Sequence, residues 1–486
     1  MADNIVWKPQ PKQIQFLCRP EYEALYGGAA GGGKSDALLA EATRQVHIPH
    51  YRAIIFRKTY PELSELIDRS FDIYKAAFPK AKYNDSKHCW TFPSGAKIYF
   101  GSMQYKKDRK KYQGKRYDFI AFDELTHFEW EEYSYMFSRN RPSKSPKSNQ
   151  KTRVYIRATT NPGGIGHGWV KERFITVAPP MRTVIEEFDV RTPDGNIKKM
   201  KRDRVFVPAT VFDNQELLNN DPNYLASLAM MPEADREALL YGSWNSFDGQ
   251  VFREWINDSG HYDDRKWTHV ITPFEIPQNW KIIRCFDWGY TRPFACYWIA
   301  VAPNRQKFVI REYYGCDGNP NKGVQMHHIE VAEKIREIED TDTNLKGRKI
   351  TGPADPSIFE ESRGLSIAAA MARYPNYVVW QKGDNARIPG KMQVHYHLAF
   401  DDKGEPLLQI FNTCRHLIRT LPNLTYDESN VEDVNSDQED HAYDALRYGL
   451  MSDPVTPRKN NAKEIPEEDP LNLFEHPKQA FNYHRI

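Results

Sequence analysis

The chain has 486 residues, with 67 basic and 65 acidic side chains, a hydrophobic content of 40% and an aromatic content of 13%. A single hydrophobic core stops growing at roughly 250–300 residues, so we expect two domains, and the apolar content excludes wholesale disorder. The charge balance argues against a simple basic DNA-coating protein. Six scattered cysteines predict neither a disulfide framework nor a zinc site, and no apolar run approaches the ~20 residues that span a bilayer.

The first half of the chain alternates short apolar runs with amphipathic stretches, which predicts strands and helices in turn. This alternation favours an open, mostly parallel sheet. The predicted strands are Leu25–Tyr26, Ala53–Phe56, Phe119–Phe122 and Val154–Ala158, with a hairpin from Trp90–Phe92 to Lys97–Phe100 and helices at Asp36–Gln45 and Glu62–Ala77.

A glycine-rich segment follows the first predicted strand and fits the pattern GxxxxGK[ST]. Glycines let backbone N–H groups curl around an anion, and the following helix adds positive potential at its N-terminus. The lysine would reach the β- and γ-phosphates of a nucleotide, and the serine would bind magnesium. A glycine-rich turn that merely precedes a lysine is disfavoured by the flanking strand and helix. The residues concerned are Gly28, Gly31, Gly32, Gly33, Lys34 and Ser35.

The strand Phe119–Phe122 carries Asp123 and Glu124 to its C-terminal end. There Asp123 could hold magnesium, and Glu124 could activate the attacking water, which suits hydrolysis better than transfer. Alone, such a pair is equally well a plain strand end; beside the glycine-rich segment it indicates a nucleotide site.

Two further segments have a functional and an ordinary interpretation of similar weight. Thr159–Asn161 follows another strand and could sense a γ-phosphate, or it could form a turn that starts at Asn-Pro. Gln13, upstream of the glycine-rich segment, could contact adenine, or it could be an ordinary polar surface residue.

The second half begins a new alternating region, and three acidic positions in it point to metal chemistry. Strands are predicted at Ile282–Phe286, Ala295–Ala300 and Lys307–Tyr313, and a helix is predicted at Asp440–Tyr448. Acidic side chains at two strand ends and on a helix could gather around a pair of divalent ions. Each alone is more often a cap or a surface charge, and local sequence does not choose between two helix positions four residues apart. The candidates are Asp287, Asp355 and either Asp440 or Asp444.

Composition suggests where the domains begin and end. A helical stretch followed by glycine turns ends near residue 250. We therefore predict a first domain over 1–250, with a linker subdomain at about 215–250, and a second domain over 251–455. Residues 456–486 are rich in Pro, Glu, Asn and Lys, and we expect a mobile or partner-dependent tail.

The order of these motifs resembles terminase large subunits of tailed bacteriophages, from about residue 10 to residue 452. The segments that carry the resemblance are GGAAGGGKS, IAFDE, TTNP, FDWGY, ADPS and DHAYDALRYG. The resemblance implies an α/β chain with an N-terminal RecA-like P-loop ATPase domain that has a mostly parallel sheet, plus a C-terminal RNase H-like α/β nuclease domain. It implies a packaging motor that hydrolyses ATP to move double-stranded DNA into a procapsid and that cuts concatemeric DNA with a metal-dependent endonuclease.

The family's functional positions can be carried over to this sequence. The resemblance implies Glu124 as the catalytic residue of the ATPase and Asp287, Asp355 and Asp444 as the nuclease carboxylates, with Asp440 a neighbour. It implies ATP and Mg²⁺ as cofactors, with Mn²⁺ able to replace Mg²⁺ in the nuclease. The nucleotide positions would be Gln13, Gly28, Gly31, Gly32, Gly33, Lys34, Ser35, Asp123 and Asn161, and the metal ligands Ser35, Asp123, Asp287, Asp355 and Asp444.

The sequence departs from the family pattern in its arginines. Many members have an arginine in or beside the phosphate loop, whereas here the stretch is Gly27-Gly28-Ala29-Ala30. The arginine that completes a neighbour's site is therefore open. Arg109 and Arg116 are favoured over Arg139 and Arg141.

The resemblance also implies partners and a place of action. Expected partners are double-stranded DNA, a portal protein, a small terminase subunit and other copies of the chain in a ring, with no membrane involved. The expected location is the host bacterial cytoplasm, transiently at the procapsid portal and not in the mature virion. Ring stoichiometry, sequence-specific versus headful cutting and the number of resting metals stay open.

Basic segments are candidates for DNA contact. Lys106–Lys111 and Lys198–Arg202 are the densest, although each alone is more simply a solvated loop. Arg387 and Lys391 lie between the nuclease carboxylates in sequence, where the resemblance places DNA. The alternatives to a packaging motor are a helicase-like DNA-remodelling ATPase with a structural second domain, a non-enzymatic capsid or portal scaffold, and a small-molecule kinase.

Overall fold

The structure is a computed structural model that describes residues 5–143, 150–231, 233–244, 247, 249–361, 364–427 and 430–456. The chain divides into two compact units. Nearly all of the predicted tail, residues 457–486, lies outside the described residues. The first unit comprises Met1–Arg253, Gly318–Pro320 and Pro422–Asp440, and the second comprises Glu254–Asp317, Asn321–Leu421 and His441–Ile486.

Within the described residues, the first unit is built on a nine-stranded sheet of order β3-β4-β5-β2-β6-β7-β1-β9-β8. The six strands from β5 to β9 in this order run parallel, and β3, β4 and β8 pair antiparallel at the two edges. The strands are β1 (Glu23–Gly28), β2 (Arg52–Arg57), β3 (Lys82–Asn84), β4 (Cys89–Thr91), β5 (Lys97–Ser102), β6 (Phe119–Phe122), β7 (Tyr155–Thr160), β8 (Val184–Arg191) and β9 (Ile197–Ala209).

Strands β1, β6 and β7 are buried along their whole length, because apolar clusters cover both faces of the sheet. Leu38 and Trp90 belong to the cluster on one face, and Phe122 and Trp169 belong to the cluster on the other. The helices of this unit are α1 (Pro11–Leu17), α2 (Lys34–Ala42), α3 (Tyr60–Ser70), α4 (Trp130–Tyr135), α5 (His167–Val170), α6 (Gln215–Asn220), α7 (Tyr224–Ala229) and α8 (Glu233–Leu239).

The two densest basic runs are ordered segments with acidic partners. Lys198–Arg202 lies on β9, which pairs with β8, and Lys201 contacts Glu187 at 2.7 Å. In the other run, Lys106 forms an ion pair with Glu129. Both runs include side chains exposed to solvent, as the alternative expected, although neither is a loop, and DNA contact by either stays a prediction.

In the part of the chain that the structure describes, the second unit has a seven-stranded sheet of order β10-β16-β13-β12-β11-β14-β15. Strands β11, β12 and β13 form an antiparallel meander, and the other neighbours pair in parallel. The strands are β10 (Val270–Ile271), β11 (Lys281–Asp287), β12 (Ala295–Val301), β13 (Lys307–Tyr314), β14 (Pro353–Ala354), β15 (Gln381–Lys382) and β16 (Leu408–Phe411).

Helices of the second unit pack on this sheet, and the last of them packs most extensively against β11. Together the two sheets confirm the expected α/β class, with a mostly parallel sheet in the first unit. No helix of the described residues is both long and apolar enough to cross a bilayer. The helices are α9 (His328–Thr341), α10 (Ile367–Met371), α11 (Arg387–Leu398), α12 (Arg415–Thr420) and α13 (His441–Met451).

Candidate nucleotide site and carboxylate cluster

The glycine-rich segment forms a tight loop between β1 and α2. Gly28 has a φ of +135°, and a Cβ atom there would lie 2.4 Å from the Ala209 carbonyl oxygen. Gly33 has a φ of +64°, and a Cβ there would lie 2.6 Å from the Gln13 amide nitrogen. Side chains are therefore excluded at both ends of the loop, with Gly31 and Gly32 between them, as a loop that wraps an anion requires.

Lys34 and Ser35 begin α2 and point into the loop and toward β6. The Lys34 ammonium is buried and donates to the Ala29 carbonyl at 2.5 Å and to Asn161 Oδ1 at 2.7 Å. Burial lowers its pKa, which nearby carboxylates partly counteract. Ser35 Oγ lies 3.1 Å from both carboxylate oxygens of Asp123. The Lys34 ammonium therefore lies beside Asn161, and the Ser35 hydroxyl lies beside Asp123.

Asp123 follows β6 directly and is fully buried. Besides Ser35, its carboxylate accepts hydrogen bonds from Thr159 Oγ1 and from Arg57, whose Nε and Nη2 lie 2.8 and 2.7 Å from Oδ2. The sequence analysis missed Arg57. The available signal was positional, because Arg57 ends β2, which pairs in parallel with β6, so the ends of these strands lie side by side.

Glu124 adopts a left-handed conformation with φ of +56°. Its carboxylate accepts hydrogen bonds from the Asn161 backbone N–H at 3.1 Å and the Asn161 Nδ2 at 3.2 Å. Two residues on, the Thr126 hydroxyl lies 2.8 Å from the Thr160 hydroxyl and donates to the Asn161 carbonyl at 3.0 Å. Thr159–Asn161 is therefore bonded to Asp123, Glu124 and Lys34 together, whereas a simple Asn-Pro turn would need none of these contacts.

Gln13 holds the end of the phosphate loop. Its side-chain Nε2 donates to the Gly33 carbonyl at 2.7 Å, and its Oε1 accepts from the Gln10 backbone N–H at 2.7 Å. Asn214 acts in a similar way, because its Nδ2 donates to the Gly31 carbonyl at 2.5 Å. No local signal in the sequence indicated Asn214, which comes from a distant part of the chain; contact of Gln13 with adenine stays a prediction.

Three of the four candidate trans-acting arginines lie at the opposite end of β6 from Asp123. The backbone bridge between Tyr117 and Asn140 places three of them around the start of β6, whereas Asp123 follows its end. The fourth lies in the segment Lys106–Tyr112. The identity of the arginine stays a prediction. These residues are Arg116, Arg139 and Arg141 at the start of β6, and Arg109 in the preceding segment.

In the second unit, two acidic residues lie at neighbouring strand ends. Asp287 ends β11, and Asp355 follows β14. Phe286 and Ala354 are paired in the parallel β11–β14 ladder, and the Asp355 N–H donates to the Phe286 carbonyl at 2.9 Å. Helix α13 packs against both strands and carries Asp444.

The three carboxyl groups influence each other electrostatically. Burial raises the pKa of Asp287 well above its usual value, and the charges of Asp444 and Asp355 raise it further. His441 Nδ1 lies 3.1 Å from Asp287 Oδ2, and its Nε2 lies 3.1 Å from Asn321 Oδ1. A buried carboxylate beside two partly exposed ones favours a divalent cation, because the cation replaces mutual repulsion with attraction.

Each carboxylate also has a protein partner. Asp355 accepts from the Ser357 N–H at 2.9 Å and from the Ser357 hydroxyl at 2.5 Å. Asp444 accepts from Arg447 at 3.0 Å and lies 3.6 Å from Arg387. Among the described residues, no three His, Cys, Asp or Glu side chains are arranged to hold a metal ion as they stand. The donor chemistry, carboxylate oxygens, fits Mg²⁺ or Mn²⁺.

Arg447 is fully buried and depends on a glycine in α11. A Cβ atom at Gly390 would lie 2.6 Å from both Cγ and Cδ of Arg447. Arg387, which begins α11, contacts Asp444, and Lys391 is 3% exposed. Arg387 thus lies at the carboxylates, as expected, whereas Lys391 is buried rather than on an open DNA-facing surface.

The structure distinguishes between the two acidic residues at the last helix. Asp440 precedes α13, which begins at His441, so the expectation that Asp440 and Asp444 share one helical face is wrong. Asp440 belongs to a segment of the first compact unit. The groups that perturb the pKa of Asp287 include Asp444. Asp444 is the better candidate for a ligand.

Comparison with known proteins gives one family match. Residues 25–258 match the family model described as "Terminase large subunit, T4likevirus-type, N-terminal". No curated protein matches the chain.

Solved structures of large terminases are similar at low identity. A large terminase from a thermophilic bacteriophage is 16% identical, with 91% of this chain and 98% of that chain covered and a TM-score of 0.36. The HK97 bacteriophage large terminase is 11% identical, with coverages of 92% and 95% and a TM-score of 0.44. The P22 large terminase nuclease domain is 16% identical, with coverages of 42% and 92% and a TM-score of 0.32. Likenesses at such TM-scores carry no weight in the assignment. The family match assigns residues 25–258, just under half of the chain, to the N-terminal domain of terminase large subunits.

Proposed function

We propose that the protein is a viral DNA-packaging motor. It hydrolyses ATP to move double-stranded DNA into a procapsid, and it cuts concatemeric DNA with a metal-dependent endonuclease. The observation that carries the proposal is the joining of Lys34, Ser35, Asp123, Glu124 and Asn161 by hydrogen bonds at one edge of a parallel sheet. This edge lies within the segment that matches a terminase large subunit domain.

In the ATPase, each residue has a separate task. The loop that ends at Gly33 would bind the phosphates, with Lys34 at the β- and γ-phosphates and Gln13 near the base. Ser35 and Asp123 would hold Mg²⁺, which supplies charge neutralisation between the phosphates. The Glu124 carboxylate would orient and deprotonate the attacking water. Its bonds to Asn161 give the γ-phosphate sensor a direct connection to that carboxylate.

In the nuclease, Asp287, Asp355 and Asp444 would hold Mg²⁺, with Mn²⁺ able to replace it. Bound divalent ions supply an activated water and stabilise the leaving oxygen in phosphodiester cleavage. The buried position of Asp287 beside two other carboxyl groups supports this role, because a cation would offset the burial and the repulsion that raise its pKa. Arg387, which contacts Asp444, would contact the DNA backbone close to the scissile bond.

The proposal includes partners and a place of action. Double-stranded DNA is the substrate, a portal protein is the docking platform, a small terminase subunit recognises the DNA, and copies of the chain form a ring. The motor would act in the host bacterial cytoplasm, transiently at the procapsid portal, and would be absent from the mature virion. Family membership of the N-terminal domain supports these assignments.

Two variants of the full chain separate the proposed activities. We expect Glu124→Gln to reduce ATP hydrolysis by roughly 100-fold or more, because the water loses its base, while plasmid nicking in Mn²⁺ persists. We expect Asp287→Ala to abolish nicking and to leave hydrolysis intact. Phosphate release and supercoiled plasmid conversion are the measurements.

The matched controls replace exposed carboxylates in each unit, Glu65→Gln in the first and Asp402→Asn in the second. Neither should change either activity. Wild-type protein that hydrolyses ATP but never nicks DNA would indicate a structural second domain, as in the helicase-like alternative. Absence of hydrolysis would contradict the motor altogether.

A further inference from the structure

A second cavity of the first unit lies at the edge of the sheet opposite the nucleotide site. It has a volume of about 420 Å³. Arg52 begins β2, and Tyr117 precedes β6 by two residues, so the cavity lies where these parallel strands start. Asp123 follows the end of β6. The cavity is therefore separated from the phosphate loop by the length of the strands. It is lined by His50, Arg52, Lys115, Arg116, Tyr117 and Ser143, together with Tyr99.

The lining is strongly cationic. Arg52, Lys115 and Arg116 contribute three positive charges, and none of the described residues that line the cavity is acidic. Burial raises the pKa of the Tyr117 phenol, so this hydroxyl stays protonated and able to donate. Three positive charges around one cavity attract an anion, and two of them, on Lys115 and Arg116, are exposed to solvent.

The buried Asp118 carboxylate accepts hydrogen bonds from the backbone of two lining residues, Arg52 and Ser143. Asp118 is fully buried and accepts hydrogen bonds from the Arg52 N–H at 2.9 Å, the Ser143 N–H at 2.8 Å and the Thr152 hydroxyl at 2.5 Å. Asp118 is not among the lining residues. It positions the backbone of the cavity and leaves the lining side chains to face the space.

Two buried polar atoms of the lining have no hydrogen-bond partner among the described residues. They are His50 Nδ1 and Ser143 Oγ, which belong to residues that are 7% and 8% exposed. Buried polar atoms are almost always hydrogen-bonded, because an unpaired atom has given up its hydrogen bonds to water without replacing them. Two such atoms in one cationic cavity leave room for a polar partner, and both can donate a hydrogen bond to an anion.

We propose that this cavity binds a phosphate group. The cationic side chains of Arg52, Lys115 and Arg116 neutralise its charge, and the Ser143 hydroxyl and the His50 ring donate to its oxygens. The phosphate can belong to a nucleic acid backbone or to a small phosphate-bearing molecule, since both present the same oxygens. The site differs from the phosphate loop in its edge of the sheet and in its residues.

The test is calorimetric titration of the full chain with inorganic phosphate at constant ionic strength. A saturating, non-hydrolysable ATP analogue with Mg²⁺ keeps the phosphate loop occupied, so that the loop does not contribute. We expect one phosphate to bind the wild-type protein. Lys115→Gln should weaken this binding at least about tenfold, because a charge-assisted hydrogen bond is lost.

Ser143→Ala provides a variant whose folding is not in question. It removes a hydroxyl that makes no hydrogen bond in the structure, so the melting temperature should stay equal or rise, while phosphate binding weakens several-fold. The control is Lys80→Gln, which removes an exposed charge of the same unit elsewhere and should leave binding unchanged.

Short duplex DNA then identifies the source of the phosphate. Competition between duplex and phosphate that is lost in Lys115→Gln would assign the cavity to the DNA backbone, and phosphate binding without competition would assign it to a small molecule. The proposal is overturned if no phosphate binds at millimolar concentrations. It is also overturned if Lys115→Gln and Ser143→Ala both bind phosphate as the wild type does.

Discussion

Asp123 receives hydrogen bonds from three side chains in a fully buried position, and only one of them is charged. Arg57 supplies that charge through two nitrogens. A buried carboxylate without a counter-charge is strongly destabilising, since desolvation is then uncompensated. Arg57 therefore neutralises the Asp123 carboxylate as long as no metal ion is bound to it.

We predict that Arg57→Ala lowers the free energy of unfolding by roughly 3 kcal/mol in the absence of metal. Addition of Mg²⁺ and ATP should stabilise this variant more than the wild type, because the metal replaces the guanidinium. Thermal unfolding with and without Mg·ATP measures both effects. Arg69→Ala, which breaks an exposed ion pair with Asp36, is the control and should change stability by less than about 1 kcal/mol. Equal effects of the two substitutions would contradict this role.

Single residues were predictable where a motif fixes chemistry at a fixed spacing. Lys34 and Ser35 follow from the glycine pattern, and the structure joins them to Asp123 and Asn161. Arg57 was not predictable, because its role depends on which strand lies beside β6. Pairing between strands that are distant in sequence is a tertiary property, which local patterns do not contain.

The end of β6 is an element-scale feature with its own backbone requirement. Glu124 terminates the strand in a left-handed conformation that is unfavourable for a residue with a Cβ atom. The turn is needed to send the carboxylate toward Asn161 rather than along the strand. Strain of this kind is typical of functional sites.

We predict that Glu124→Gly is more stable than Glu124→Ala by about 1 kcal/mol, because only glycine adopts this φ without strain. Both variants lose the carboxylate, so the difference between their free energies of unfolding measures the strain of the backbone at this position. At Glu65, an exposed position within α3, the order should reverse by about 1 kcal/mol, since alanine favours helix. Chemical unfolding of the four variants measures the two differences. If glycine and alanine rank in the same order of stability at both positions, the claim of backbone strain at Glu124 is wrong.

Elements were predictable in proportion to their apolar content. The runs at β2, β6, β11 and β12 are buried strands, as expected. The β8–β9 ribbon was missed, because its exposed residues are polar and basic and carry no alternation toward a core. Helix α13 begins one residue later than predicted, which removes Asp440 from its face.

At the scale of the whole molecule, a segment from the last quarter of the chain belongs to the first compact unit. Residues Pro422–Asp440 belong to this unit, although a single boundary near residue 250 was predicted. The Leu424 carbonyl accepts from the Val251 N–H at 2.9 Å, and the Tyr426 N–H donates to the Gly249 carbonyl at 3.0 Å. The returning segment also lines a cavity of about 1120 Å³, together with Pro162 and Gly163, which follow Asn161. Contacts this remote in sequence are not visible in composition.

We predict that Leu424→Ala, which truncates a buried side chain, destabilises the first unit by about 3 kcal/mol. Hydrogen exchange of the Val251 amide should accelerate, while the amides of β12 keep their protection. The matched control is Leu398→Ala, which truncates a buried leucine of the second unit. In this variant the amides of β12 should exchange faster, while the Val251 amide keeps its protection. Faster exchange of β12 in Leu424→Ala would show that the segment does not belong to the first unit in solution.

The packing of Gly390 against Arg447 constrains how this protein can diverge. Even a methyl group at position 390 would occupy the volume of the arginine stem, and a displaced arginine would release Asp444. A side chain at position 390 therefore requires Arg447 to move. In an evolving lineage we expect the two sites to covary, with any larger residue at 390 accompanied by a shorter one at 447 and by a new counter-charge for the carboxylate.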